Sequence, residues 1–99
     1  MNKPFNKLTD AQAERLAWLA EEAAEVIQVV GKILRHGYDS HHPSNPDETN
    51  KVLLEKELGN FSVAFHTCVG AGDICYVQCE KHAEEKTGSY LQWMHHQNE

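Results

Sequence analysis

A chain of 99 residues makes one small domain and buries only a modest core by itself, so apolar surface left on a second helix face points to an oligomer. A net charge of -6 argues against a module that binds nucleic-acid polymers, which normally shows a basic patch. No apolar run approaches the ~20 residues of a membrane helix, and the N-terminal stretch MNKPFNKLTDAQ lacks the apolar centre of a secretion signal. Three cysteines, an odd number, cannot all pair within one chain, which together with the missing signal favours free thiols and a cytoplasmic location.

The first predicted helix starts at Thr9. Thr9-Asp10-Ala11-Gln12 has the form of a capping box, in which two side chains satisfy two backbone donors at a helix start. Apolar residues follow at Leu16, Leu19, Ala20, Ala23, Val26, Ile27, Val30, Ile33 and Leu34, a continuous stripe at helical spacing that is expected to face the core. Lys32, Arg35 and His36 lie where the helix dipole favours positive charge, and Gly37 is the natural stop. Residues Tyr38 to Asn50, YDSHHPSNPDETN, read as a loop. A second helix begins between Asp47 and Asn50 and carries Val52, Leu54, Leu58, Phe61, Phe65, Cys68 and Val69 to a stop at Gly70-Ala71-Gly72. Asp73 is the expected N-cap of a third helix with Ile74 and Val77 on its apolar side. Thr87-Gly88-Ser89 is a candidate break before YLQWMHHQNE, which is either a short final helix or an ordered tail. The fold class is therefore all-α: a single domain over residues 1–99, a bundle of three to four helices.

Glutamates 21, 22 and 25 stand in an apolar helix with no basic residue among them. At roughly 100° per residue, Trp18, Glu22, Glu25 and Val29 form a second stripe beside the expected core stripe, and Glu21 faces further away. Glu21 and Glu25 are an i, i+4 like-charge pair, costing an isolated helix roughly 0.2–0.5 kcal/mol. On the second helix Glu57 and Asn60, one turn apart, flank Leu58 and Phe61. Packing the two helices together can bring Glu22, Glu25, Glu57 and Asn60 to one place. Four oxygen-bearing side chains in a partly buried site repel unless a cation joins them, and hard oxygen ligands suit Mg²⁺ or Mn²⁺.

Glu21-Glu22-Ala23-Ala24-Glu25-Val26 followed by Glu57-Leu58-Gly59-Asn60 resembles the E-E-x-x-E … E-L-G-D signature of the MazG-like, all-α nucleoside triphosphate pyrophosphohydrolases. LAEEAAEVIQVVGKILRHG, the AGDI at Ala71 to Ile74 and the closing WMHHQ are similar to short, phage-type members, so the resemblance covers most of the chain. It implies a fold completed as a homodimer or homotetramer. It also implies Mg²⁺-dependent cleavage of a nucleoside triphosphate to the monophosphate and pyrophosphate, with (d)GTP a first substrate to test. By the same resemblance Glu22, Glu25 and Glu57 are metal ligands and Glu21 positions or activates water. Asn60 stands where the family has aspartate; its amide oxygen can still ligate Mg²⁺ but carries no charge and cannot act as a base.

Basic residues are expected at the outer phosphates, with Lys32, Arg35, Lys51, Lys81 and Lys86 as candidates and Lys86 the first choice. Trp18, one turn before Glu22, either stacks on a base or packs in the oligomer. His41-His42 lies in a loop on the expected substrate side and is either a nucleotide contact or exposed polar surface; His95-His96 is similarly open, and His66 is expected on the helix surface or at an oligomer interface. Two other readings stand beside this one. The aspartate-to-asparagine departure is compatible with a catalytically weak, nucleotide-binding member. Cys75, Cys79 and His82 fall on one helical face, which raises a zinc-binding interaction module.

Overall fold

The computed structural model describes residues 5–97. Three helices account for most of them: α1 (Asp10–His36), α2 (Asn50–Gly70) and α3 (Tyr76–Tyr90), followed by a 3₁₀ turn at Leu91–Trp93. The described residues contain no strand; His41 and Thr49 make one isolated antiparallel bridge.

The expected start and stop of α1 are present. The Thr9 hydroxyl accepts from the Gln12 N–H at 3.1 Å, and Gln12 Oε1 accepts from the Thr9 N–H at 2.9 Å, completing the capping box. Gly37 leaves the helix with φ 88°, a backbone region that disfavours any residue with a Cβ, and its N–H donates to the Ile33 carbonyl. α2 starts at Asn50, with the Thr49 hydroxyl accepting from the Val52 N–H.

The loop between them is folded back on α2. The Asn50 N–H donates to Ser40 O, the Lys51 N–H to Tyr38 O, and the buried Asn50 amide to Gly37 O. Those bonds, with the cap, satisfy the first N–H groups of α2 that no helical carbonyl can reach.

α2 ends in a Schellman motif. The Asp73 N–H reaches the Cys68 carbonyl and the Gly72 N–H reaches the Val69 carbonyl, with Gly72 at φ 81°. Asp73 is not the N-cap of α3, as the sequence suggests. Cys75 holds that position without a side-chain cap bond, and Asp73 is engaged 58 residues away. Its carboxylate takes a two-point grip from Arg15, with Nε 2.6 Å from Oδ2 and Nη2 3.0 Å from Oδ1. The guanidinium holds the Asp73 carboxyl below its usual range. This clamp ties the α2–α3 corner to the first half of α1.

α1 and α2 pack along each other and form the core. Val29, Ala64 and Cys68 are its buried apolar residues. The face of α1 that meets α2 carries Trp18, Glu22, Val26, Val29 and Ile33, all buried or half-buried. The expected core stripe is thus corrected: Leu16, Ala20, Ile27, Val30 and Leu34 point to solvent, with Ile27 71% and Leu34 83% exposed. The physical reason is that α2 alone covers α1 and docks against the flank carrying the glutamates. α3 packs along neither helix and has no buried residue, although its first-turn Tyr76 meets the Phe65 and His66 rings of α2. The radius of gyration, 17.6 Å, exceeds the ~13 Å of a compact chain of this length. α3 also runs through Gly88 to Tyr90, so the candidate break at Thr87-Gly88-Ser89 is absent. The tail after it is the 3₁₀ turn and a short turn, its last two residues lying outside the described ones.

Ala64 is wholly buried against α1, where its single methyl group lets the helices approach. Ala64→Leu is expected to lower stability by about 1–3 kcal/mol through overpacking, read as a lower urea midpoint with an unchanged slope.

Candidate metal centre

Helix geometry assembles the site. Glu22 and Glu25 are three residues apart and therefore neighbours on α1. Glu22 lies among Trp18, Val26 and Val29 on the face that packs on α2, so burying those apolar groups carries the carboxylate inward with them. Glu57 arrives from α2, one turn before Phe61 and two turns before Ala64 on its packed face. Each of the three half-buried residues offers a carboxylate oxygen, and these oxygens all lie within 4.8 Å of one another.

The electrostatics are those of a site short of positive charge. Glu22 Oε2 and Glu57 Oε2 are buried and have no hydrogen-bond partner among the described residues. A buried acceptor normally finds a donor, and a buried charge is normally paired. Glu25 is pushed up to about 7, chiefly because it shares a hydrogen bond with Glu57, and further by repulsion from Glu22. A hydrogen bond between two carboxyl groups requires a proton, so the cluster recruits one at neutral pH. A divalent cation supplies the same compensation. Three carboxylates form a hard, all-oxygen donor set, the kind that suits Mg²⁺ or Mn²⁺ and not a thiolate-seeking ion. The orphaned oxygens and the donor chemistry both fit such an ion.

The remaining expected residues are distributed around this centre. Glu21 is exposed and outside the trio. Asn60 is exposed one turn beyond Glu57, and Trp18 is half-buried one turn before Glu22. Lys86 is on α3, its ammonium 4.8 Å from the centre of the Tyr90 ring, and α3 does not run along the groove that holds the carboxylates. Among the described residues Cys75, Cys79 and His82 do not converge into a ligand set; Cys75 stands before α3, and His82 Nδ1 lies 3.6 Å from Glu85. His66 is exposed.

Lys32 and Arg35 meet His36, His41 and His42 at a cavity of about 290 Å³ between the end of α1, the loop and the start of α2. This convergence is not legible from spacing, because the loop must fold back first. A histidine pair in a loop that follows a Lys-x-x-Arg-His helix end is the feature that could have drawn attention to it.

No helix among the described residues is long and apolar enough to cross a membrane. Compared with known proteins, the chain matches no family model, no curated protein and no solved structure.

Proposed function

We propose that the protein is a Mg²⁺-dependent nucleoside triphosphate pyrophosphohydrolase of the MazG-like kind, with Mn²⁺ able to substitute. The observation that carries this reading is the trio Glu22, Glu25 and Glu57, brought from two helices into a half-buried cluster with two orphaned oxygens. A protein selected only for stability would have a lysine or an apolar group there. The order and helix context of the two glutamate motifs supply the substrate class by resemblance.

Water attacks the α-phosphorus, the bond to the β-phosphate oxygen breaks, and the products are the monophosphate, pyrophosphate and a proton. A bound divalent ion supplies neutralisation of the phosphate charge and activation of water. Glu22, Glu25 and Glu57 would hold that ion. Glu21, exposed beside them, is the water-orienting group of this proposal, and Trp18 is the platform for the base.

The proposed assembly is a homodimer or homotetramer. Leu16, Ala20, Ala23, Ile27, Val30 and Leu34 follow one another at alternating spacings of four and three, the seam of a helix that packs on another helix. All but Ala23 are exposed within one chain, and α3 has no buried residue.

A panel of nucleoside triphosphates, (d)GTP among them, assayed for pyrophosphate with Mg²⁺, Mn²⁺ and chelator, tests the reaction. Release with at least one nucleotide, lost in chelator, is expected; no release from any nucleotide with either ion would overturn it. In the same assay Asn60→Asp, which adds a carboxylate one turn from Glu57, is expected to lower the Mg²⁺ concentration needed for half-maximal rate. A large loss of rate would mean that the amide is required as it stands.

A further inference from the structure

We infer that the groove between α1 and α2 takes its nucleotide in one polarity, with the outer phosphates in the cationic cavity at the end of α1 and the base toward Trp18. This rests on the pyrophosphohydrolase reading for its ligand and adds the direction in which that ligand lies.

The cavity is the exception in an acidic protein. Lys32, Arg35, His36, His41 and His42 line it, and no acidic side chain does. Neither Lys32 nor Arg35 forms an ion pair or hydrogen bond among the described residues, so both charges are available to a ligand. The first N–H groups of α2 are already spent on the loop and on Thr49. Attraction for an anion therefore comes from side chains and not from the helix end.

One histidine adds a donor and the other is held in place by its own. His42 Nδ1 accepts from the Ser44 N–H at 3.1 Å, so in the neutral ring the proton sits on Nε2, which is then a donor. His41 Nδ1 lies 3.0 Å from the His42 carbonyl, which can only accept, so that nitrogen carries the proton and fixes the ring.

The cavity and the carboxylate trio are built on the same two helices. Leu53, on its wall, is one turn before Glu57 on α2. Lys32 is two turns after Glu25 on nearly the same side of α1, about 10 Å along the axis. Trp18 is one turn before Glu22, on the opposite side of the trio. Reading along α1, an aromatic ring, an anionic cluster and a cationic cavity follow in order. A nucleoside triphosphate presents a base, a phosphate that can take a divalent ion, and a terminal pair of phosphates carrying most of the negative charge, in that order. At about 290 Å³ the cavity has room for a pyrophosphate group.

The test compares the wild-type protein with the Lys32→Gln/Arg35→Gln double variant by calorimetric titration in Mg²⁺, using inorganic pyrophosphate and a nucleoside monophosphate as separate probes. Both side chains are exposed, and circular dichroism checks that the fold is retained. Loss of two charge-assisted contacts is expected to weaken pyrophosphate binding about ten- to a hundredfold. Monophosphate binding should stay within about twofold, and KM for the triphosphate should rise with the pyrophosphate constant. Unchanged pyrophosphate binding, or no pyrophosphate binding by the wild type, would overturn the inference. So would a loss of monophosphate binding as large as that for pyrophosphate, since it would put the nucleoside end in the cavity. A wild type that binds pyrophosphate through Lys32 and Arg35 yet hydrolyses no triphosphate would overturn the proposed reaction and leave the anion cavity standing.

Discussion

Glu57→Gln is expected to abolish Mg²⁺-dependent pyrophosphate release and, in chelator, to raise the melting temperature. The two effects come from one change. The amide keeps the volume and shape of the carboxyl group but removes one negative charge from a cluster whose oxygens lie within 4.8 Å of one another. Its NH₂ finds acceptors in the facing carboxylates, so the substitution replaces repulsion with hydrogen bonding. In the metal-free protein the gain should be a few degrees, since about 1 kcal/mol moves a domain of this size by roughly 4–8 °C. The ion loses a charged ligand, and several kcal/mol of stabilisation in the transition state depend on its position. Each 1.36 kcal/mol is a factor of ten, so a fall of about 10²–10³ is the expected scale. A carboxylate that served only the fold would behave in the opposite way, losing stability when neutralised. Pyrophosphate assays and thermal melts in chelator read both signs, with circular dichroism to show unchanged helix content. Near-normal turnover in both Glu57→Gln and Glu25→Gln would sink the assignment of the metal centre.

The second large effect is a linkage between protons and metal. Glu25, held at about 7 against an ordinary 4.5, binds a proton more tightly in the folded chain than in the unfolded one. Its contribution to stability is therefore full below 4.5 and is lost as pH rises through about 7. In chelator the melting temperature should fall between about pH 5 and pH 8. Asp73 works with the opposite sign in a different window: Arg15 lowers it, so its contribution is present above its ordinary 3.8 and lost only as pH falls below that range. The two groups can be separated by pH alone. Mg²⁺ should remove the fall at the alkaline side, because the ion takes over the proton's task. Binding at about pH 6 should then release a proton, seen as a dependence of the calorimetric enthalpy on the ionisation enthalpy of the buffer. An enthalpy that is the same in every buffer would refute the linkage.

Local chemistry was the legible part of this fold. Thr9 with Gln12, Gly37, and the Gly70-Ala71-Gly72 turn mark helix ends through bonds made within a few residues, and the structure has them. Asp73 was misread for the complementary reason. By local pattern it is a helix cap, but its partner Arg15 is reached only when α2 turns back against α1. The face of α1 was misjudged in a similar way. Of the stripe read from Leu16 to Leu34, Leu19, Ala23, Val26 and Ile33 are half-buried while Leu16, Ala20, Ile27, Val30 and Leu34 are exposed; an apolar stripe says that something apolar belongs there, not that the same chain provides it. The adjoining stripe of Trp18, Glu22, Glu25 and Val29 reads as a second buried face beside the core, and it is the face on which α2 packs. Gly88 failed to break α3 because one glycine costs a helix only about 1 kcal/mol. Glu22 and Glu25 were legible as neighbours because helical spacing dictates it, whereas Glu57 joins them only through the packing of α2 on α1. The cavity beyond them depends on a loop whose path no periodicity describes.

The uneven distribution of burial has a consequence for how the chain yields to stress. Among the described residues every buried apolar side chain belongs to α1 or α2, and the Arg15–Asp73 grip closes the far end of that pair. Hydrogen exchange and proteolysis report opening free energies that follow local burial. α3 should therefore open at a cost well below that of global unfolding, exchanging its amides and accepting a protease while the two-helix hairpin stays shut. Because the cation would join Glu22 on one arm of that hairpin to Glu57 on the other, it would act as a reversible cross-link across the loop between them. Its effect should appear as slower exchange throughout α1 and α2, with α3 exchanging as before.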